Sequence, residues 1–467
     1  MPIDIPLGAR PKPNRTPLLL GGVILVAAVG LLYIGYRAGG QPTIEITAAK
    51  EAVSQETTID VVVREPVRGL AAVSVVMKQN DKTFELVEES FTPQPAWASW
   101  QPKTDEKSVT VKVGKAHQTT LEEGPATVEV RVSGAGTWLY DAPEATASKT
   151  LQVRLKPPPL AVTASEVYVM QGGAEVVTYS VGPTSVKDGV VAGEWFFKGY
   201  PHPNGDKSER IALFAVPYDM SNVDDVRVIA EDDVGNRAEA EFINNFRPKP
   251  YNTDTINVST AVMKALVPKI RARTPDLPDK GSLLANYVAI NRDLRKANNQ
   301  RLRVLAQKTQ PKFLWRKSFV QMSAKVVSSF ADRRTYLFEG RKIDQQDHLG
   351  FDLASVRRAE VPAANDGIVV MAEYLGIYGR ALVIDHGMGL MSLYAHCSSI
   401  SVEVGDRVKR GQTVARTGVS GLALGDHLHF TMLLSGLPVT PLEWWDGHWI
   451  QDRIVRKLPD IFKSVKE

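Results

Sequence analysis

Hydrophobic and polar positions alternate in several registers along the chain, and each register predicts a different kind of element. From Pro17 to Tyr36 there is no charged residue, and the run is apolar on every side. Twenty such residues at 1.5 Å each reach about 30 Å, the thickness of a bilayer core. The run is longer than a signal-peptide core and no A-x-A site follows it, so it predicts a retained anchor over 17–36 with a polar tail over 1–16. Beyond it, valines alternate with polar residues at Val109, Val111 and Val113, then at Val128, Val130 and Val132, then at Leu151, Val153 and Leu155. A period of two means strands with one buried face, and residues 42–156 read as a β-sandwich-like module. Pro157-Pro158-Pro159 ends it.

A second β module is predicted over 160–247. Its clearest hairpin runs Val226-Arg-Val-Ile-Ala-Glu, turns at Asp232-Asp-Val-Gly-Asn236 and returns as Ala-Glu-Ala-Glu-Phe. It is weakly similar to bacterial immunoglobulin-like modules, and reads as a spacer more than as a binding module. Residues 254–310 change period. Leu283, Tyr287, Ile290, Leu294 and Ala297 recur at spacings of four and three, which predicts an amphipathic helix capped by Ser282 and ended before Pro311. Its other face carries Arg292, Arg295, Lys296 and Arg303, a solvated surface. Short strands return in the last third: Gly367-Ile-Val-Val-Met, Ala381-Leu-Val-Ile-Asp and Leu390-Met-Ser-Leu-Tyr. The fold class is therefore mostly β, with an N-terminal transmembrane helix, two sandwich-like modules, a helical segment and a C-terminal β domain.

Composition narrows the chemistry. The 467 residues suit about three folding units. The net charge of +4, from 56 basic and 52 acidic residues, is too small for a dedicated nucleic-acid binder. Cys397 is the single cysteine, so disulfides within the chain and thiolate zinc fingers are excluded. Any metal site must use histidine and carboxylate. Arg10, Lys12 and Arg15 precede the apolar run, and Arg37 follows it. That balance favours an N-terminus inside, with the bulk of the chain outside the cytoplasm.

Six of the eight histidines lie between residues 348 and 448, under a quarter of the chain. His348-Leu-Gly-Phe-Asp352 would place an imidazole and a carboxylate on one face of an extended chain. His427-Leu-His429 places two imidazoles on one strand face, with Leu428 and Phe430 on the apolar side. Tyr394-Ala-His396 closes a strand, and alone would be read as a partly buried histidine. Two nitrogens, one oxygen and an open position make a catalytic rather than a structural zinc site. Cys397 beside His396 reads as a small buried hydrophobe, His386 as a turn former, and Tyr394 as packing or an oxyanion contact. Trp444, Trp445 and Trp449, with His448, read as a plug at the edge of a core. The Val404–Gln412 phrase reads as scaffold.

His348-x-Gly-x-Asp352, Tyr394-Ala-His396 and His427-Leu-His429-Phe430, in that order, resemble the lysostaphin/LytM family of zinc endopeptidases. Val383-Ile-Asp-His-Gly387, Val404-Gly-Asp-Arg-Val-Lys-Arg-Gly-Gln412, Gly418-Val-Ser-Gly421 and Ser329-Phe-Ala-Asp-Arg-Arg match as well. The resemblance covers about residues 325–446, leaving 447–467 as a tail. It implies an antiparallel β-sheet metallopeptidase domain with a groove, cleaving peptide cross-links of peptidoglycan. It further implies one zinc per chain held by His348, Asp352 and His429. His396 and His427 would flank the water as general base and transition-state stabiliser, in an order the resemblance does not assign. The family often has Ser-Thr-Gly-Pro before the paired histidines and Glu after the Phe, where this chain has Ala423-Leu-Gly-Asp426 and Thr431.

The whole sequence thus predicts a single-pass cytoplasmic-membrane protein acting on peptidoglycan outside the cytoplasm. Its β modules are candidate contacts for cell-envelope proteins. The rival expectation is a catalytically inactive member of the same family that binds and activates another wall hydrolase.

Overall fold

The computed structural model describes residues 16–164 and 166–462, with backbone alone for 16–19. The expected tail over 1–16 lies almost wholly outside the described residues. The chain divides into two compact units, Met1–Lys156 with Asp233–Asn236, and Pro157–Asp232 with Arg237–Glu467.

The first unit begins with helix α1, Thr16–Tyr36. Its fully described part starts at Leu20, and among the described residues no helix is long and apolar enough to cross a membrane. The expected span over 17–36 is therefore met by a helix but not by a complete described span. The β module behind it has a three-stranded sheet, Thr43–Ala48, Thr57–Arg64 and Glu106–Val113. A five-stranded sheet contains Gly124–Ser133, Glu144–Val153, Ala72–Gln79 and Lys82–Ser90. Alternation fixes which face is inward: Ile59, Val61, Val75, Met77, Val111, Val128 and Val130 fill the core.

In the second unit, two four-stranded sheets form the first half. One holds Ala174–Val181 and Glu209–Ala215, the other Ser185–Ala192 and Val226–Asp232. The predicted hairpin is present, with Val226–Asp232 antiparallel to Arg237–Ala240. The segment read as a spacer does not stand apart. Its Val176, Tyr179 and Phe214 belong to the same buried cluster as Trp315, Phe430 and Trp444 of the C-terminal half.

The C-terminal half is built on an antiparallel eight-stranded sheet. Its order runs Lys325–Ser328, Phe351–Ala354, Leu428–Leu434, Leu390–Cys397, Gly379–Gly387, Gly367–Leu375 and Arg407–Val408, with Leu437–Val439 beside Leu428–Leu434. Every residue of Leu390–Cys397 and Leu428–Leu434 is buried. Both faces are covered, which is why these strands read as continuous apolar runs. The Trp315–Trp444 cluster packs one face. The other meets α2 (Thr260–Arg271), α3 (Leu283–Ala289) and α4 (Arg295–Ala306) through Leu266, Tyr287 and Leu302, with Leu294 from the turn between α3 and α4. The helical segment is thus a layer of this unit.

Ser282 caps α3, its Oγ accepting from the Ala285 amide at 3.1 Å. The single helix expected from Ser282 to before Pro311 is interrupted by a π turn, Ile290–Leu294, and ends at Ala306. The inserted residue shifts the apolar stripe, so Ala297 is exposed and Asn298 takes the buried position.

Candidate metal centre

His348 ends strand Arg341–His348, and Asp352 lies on the next strand, Phe351–Ala354. A turn joins them, so the pair meets across two strands rather than along one. Gly350 makes that turn feasible. A Cβ there would stand 2.5 Å from Thr431 Oγ1 and 2.6 Å from His429 Cε1, so only glycine fits. Asp352 is the direct cross-strand partner of His429, and His429 that of Ala395. His396 follows Ala395 with φ at +63°, a left-handed conformation that a side chain adopts at a cost of about 1–3 kcal/mol. His427 sits just before strand Leu428–Leu434.

All five predicted residues line one cavity of about 330 Å³. The His348 Nε2, Asp352 Oδ1 and His429 Nδ1 atoms form a triangle with sides of 3.0 Å. Their outer atoms settle the tautomers. His348 Nδ1 donates to the Ser329 carbonyl at 2.9 Å, which leaves a lone pair on Nε2. Thr431 Oγ1 spends its proton on the Leu349 carbonyl, so it accepts from His429 Nε2, leaving a lone pair on Nδ1. With both imidazoles neutral, three acceptors therefore converge with no proton between them. Such an arrangement is repulsive unless a cation occupies its centre, and the donor set suits zinc. The outer contacts hold each imidazole in its ligating tautomer.

Asp352 offers its second oxygen to Arg334, whose Nη2 lies 3.1 Å from Oδ2 and 2.5 Å from Ser328 Oγ. Burial alone would raise the Asp352 carboxyl, but His348, His427 and His429, when they carry protons toward it, hold it well below the usual carboxylate range. Burial pulls the His429 imidazole down to about 4. Burial, together with His427 and His429, also pulls His396 well below its ordinary value. His396 Nδ1 donates to the Ser420 carbonyl at 2.8 Å, and His427 Nδ1 to the Gly425 carbonyl at 2.7 Å. Each therefore turns Nε2 toward the cavity. The two rings are 4.9 Å apart, and His427 Nε2 is 3.5 Å from Asp352 Oδ1. Burial lowers His427, yet the contacts with Asp352 outweigh it and leave His427 raised.

The cavity is also walled from the helical layer. Tyr287 of α3, Leu266 of α2 and Arg295 line it. Asn298 Oδ1 accepts from the Ile377 amide at 2.9 Å, and Asn299 Oδ1 accepts from the Tyr378 hydroxyl at 2.8 Å. The Tyr378 ring then lies 5.7 Å from that of His429. Tyr378 carries no signal in the sequence, and Arg334 stands there only inside the Ser329-Phe-Ala-Asp-Arg-Arg phrase, with nothing to set it apart from Arg333. Thr431, a departure from the family pattern, fills the outer contact to His429.

The remaining candidates fall outside the cavity. Tyr394 is fully buried, its hydroxyl accepting from the Ala364 amide and the Ser392 hydroxyl, so it packs. His386 bridges the Asp366 carbonyl and Ser392, and burial takes it down to about 4. Burial pushes the Cys397 thiol up to about 12, away from nucleophilic chemistry. Trp444 is core, and Trp445 stacks on Phe430.

Residues 346–441 match the profile of Peptidase family M23. The chain is 34% identical over 119 residues to peptidoglycan DD-endopeptidase ShyA of Vibrio cholerae, a match covering 26% of this chain and 27% of that protein. It is 38% identical over 95 residues to murein hydrolase activator EnvC of Escherichia coli, covering 20% and 23%. It thus spans about a quarter of the length of these relatives. The catalytic domain of lysostaphin from Staphylococcus simulans is a structural neighbour with a TM-score of 0.23, 24% identical over 26% of this chain and 92% of that one.

Proposed function

From the premise that the C-terminal part of this chain is a Peptidase family M23 domain, we propose that it is a zinc-dependent endopeptidase acting on peptide cross-links of peptidoglycan. The observation that carries this reading is the convergence of His348 Nε2, Asp352 Oδ1 and His429 Nδ1, each 3.0 Å from the other two. When bound there, zinc supplies a Lewis acid that brings the pKa of its water to about 7. The chain's own part is proton handling and orientation. Neutral His396, fixed through Ser420, presents Nε2 to accept a proton. His427, fixed through Gly425, presents Nε2–H to the oxygen that gains charge. Arg334 holds Asp352 so that one oxygen faces the centre.

The same reading assigns α1 as the anchor. Residues 17–36 are uncharged, and Leu20, Val23, Ile24, Leu25, Val26 and Val29 are all exposed along the helix. The chain would then enter the cytoplasmic membrane from inside, with residues from about 38 onward on the wall side.

Digestion of purified peptidoglycan, followed by separation of the muropeptides, tests the activity. Intact protein is expected to convert cross-linked dimers to monomers, and His396→Ala to leave them unchanged. Intact dimers with both proteins, together with faster digestion by an added wall hydrolase, would support the activator reading in its place.

A further inference from the structure

The β module of the first unit is asymmetric in a way that its core does not require. Its strand register places three loops at one end. Thr43 pairs with Arg64, Arg64 with Glu106, Ala72 with Ser90 and Ser133, and Ser133 with Glu144. Loops 65–71, 91–105 and 134–143 therefore gather where α1 joins the module. Loops 49–56, 80–81 and 114–123 lie at the far end, eight or so residues away along each strand.

Every large exposed hydrophobic residue described between 38 and 156 lies at the α1 end. They are Val67, Trp97, Trp100, Trp138, Leu139 and Tyr140, with the three tryptophans 60%, 75% and 67% exposed. The far end has none among the described residues. Contacts tie this patch to the base of α1. Arg37 donates to the Ala96 carbonyl at 3.0 Å and to Gln94 Oε1 at 2.6 Å. Thr137 Oγ1 donates to the Gly35 carbonyl at 2.8 Å, and the Tyr36 and Tyr140 rings are 5.7 Å apart. The Trp138 ring lies so close to Gly35 that a Cβ there would approach it to 2.8 Å. Trp97 and Trp100 meet edge to face at 6.1 Å.

Three exposed indoles and a phenol beside the end of an apolar helix match one environment, the headgroup layer of a bilayer. There the ring bodies meet acyl carbon and the N–H and O–H groups stay wet. We propose that this end of the module is a membrane-docking surface, with Trp97, Trp100, Trp138 and Tyr140 seated in the interface that α1 enters. The proposal rests on the reading of α1 as the anchor. It goes beyond that reading by laying the module on the lipid rather than holding it off on a free stalk.

The test uses the full chain in phosphatidylethanolamine–phosphatidylglycerol vesicles doped, in parallel samples, with phosphatidylcholine brominated near the top or near the end of its acyl chains, the first read at Ser99 and Asp81 and the second at Ala27. An environment-sensitive fluorophore is attached through Ala27→Cys, Ser99→Cys or Asp81→Cys, while buried Cys397 stays unlabelled. The proposal expects quenching and a blue shift at Ser99, none at Asp81, and loss of the Ser99 signal when Trp97, Trp100 and Trp138 are all changed to Ser. Quenching at Ala27 without quenching at Ser99 would keep the anchor and overturn the docking surface. Quenching at Ser99 alone would keep the lipid contact of the tryptophans but overturn the anchor on which the proposal rests. No quenching at either position would overturn both.

Discussion

At the residue scale the account turns on lone pairs. Ser329 and Thr431 fix which nitrogen of His348 and His429 carries hydrogen, and so convert two ordinary imidazoles into inward-facing acceptors. His396 and His427 face the same cavity but leave the triangle to the other three. His396→Ala is therefore expected to keep its zinc while turnover of cross-linked muropeptides falls by about 10²–10⁴-fold, the usual weight of a positioned proton acceptor. Metal analysis beside the rate measurement separates the two effects. Arg334→Met removes the partner of Asp352 Oδ2, and its zinc affinity, read by competition with a chelator, is expected to fall about 10–100-fold. The motifs made the five residues legible because ligand types and spacing survive in sequence. Arg334 was not legible: Arg333 and Arg334 are adjacent, and only the register of strand Asp332–Phe338 decides which one faces the cavity. Arg333 pairs with Asp347 at 3.0 Å instead.

At the element scale, alternation revealed the strands of the first module because one face of each is wet. In the C-terminal sheet both faces are covered, and the covering helices could not be inferred from the strands. The π turn at Ile290–Leu294 leaves no mark in the sequence, because a one-residue insertion leaves the spacing of apolar residues nearly unchanged on either side. Elements distant in sequence also meet through buried charge. Glu443, in the short helix Pro441–Trp445, accepts from the Ala174 amide at 2.7 Å. Burial, aided by Glu175, pushes its carboxyl up to about 8 against the pull of that amide, Lys249 and Arg453. A raised folded-state value means that the folded chain holds the proton more tightly than the unfolded one. The resulting stabilisation is complete below the ordinary value of 4.5 and is lost as pH rises through about 8. Glu443→Gln is expected to melt close to the wild-type temperature at pH 5 and above it at pH 9, measured by scanning calorimetry. Equal melting at both values would remove the buried proton from the account.

At the scale of the whole molecule, the second β module and the peptidase sheet share one core, whereas residues 42–156 fold around their own. Sequence distinguished these regions by composition and by Pro157-Pro158-Pro159. It could not show which would share a core, because that depends on pairings such as Ala174 with Glu443, over 250 residues apart. The candidate metal centre belongs wholly to the second unit. Its assignment joins the family match, the converging acceptors and the proposed wall chemistry, and it is the claim on which the others stand.

The most direct test counts zinc bound to the full chain after exhaustive dialysis, beside His429→Ala and His396→Ala. The account predicts one zinc per chain in the wild type and in His396→Ala, and none in His429→Ala. A wild-type chain that holds no zinc, or a His429→Ala chain that holds it as firmly, would contradict it.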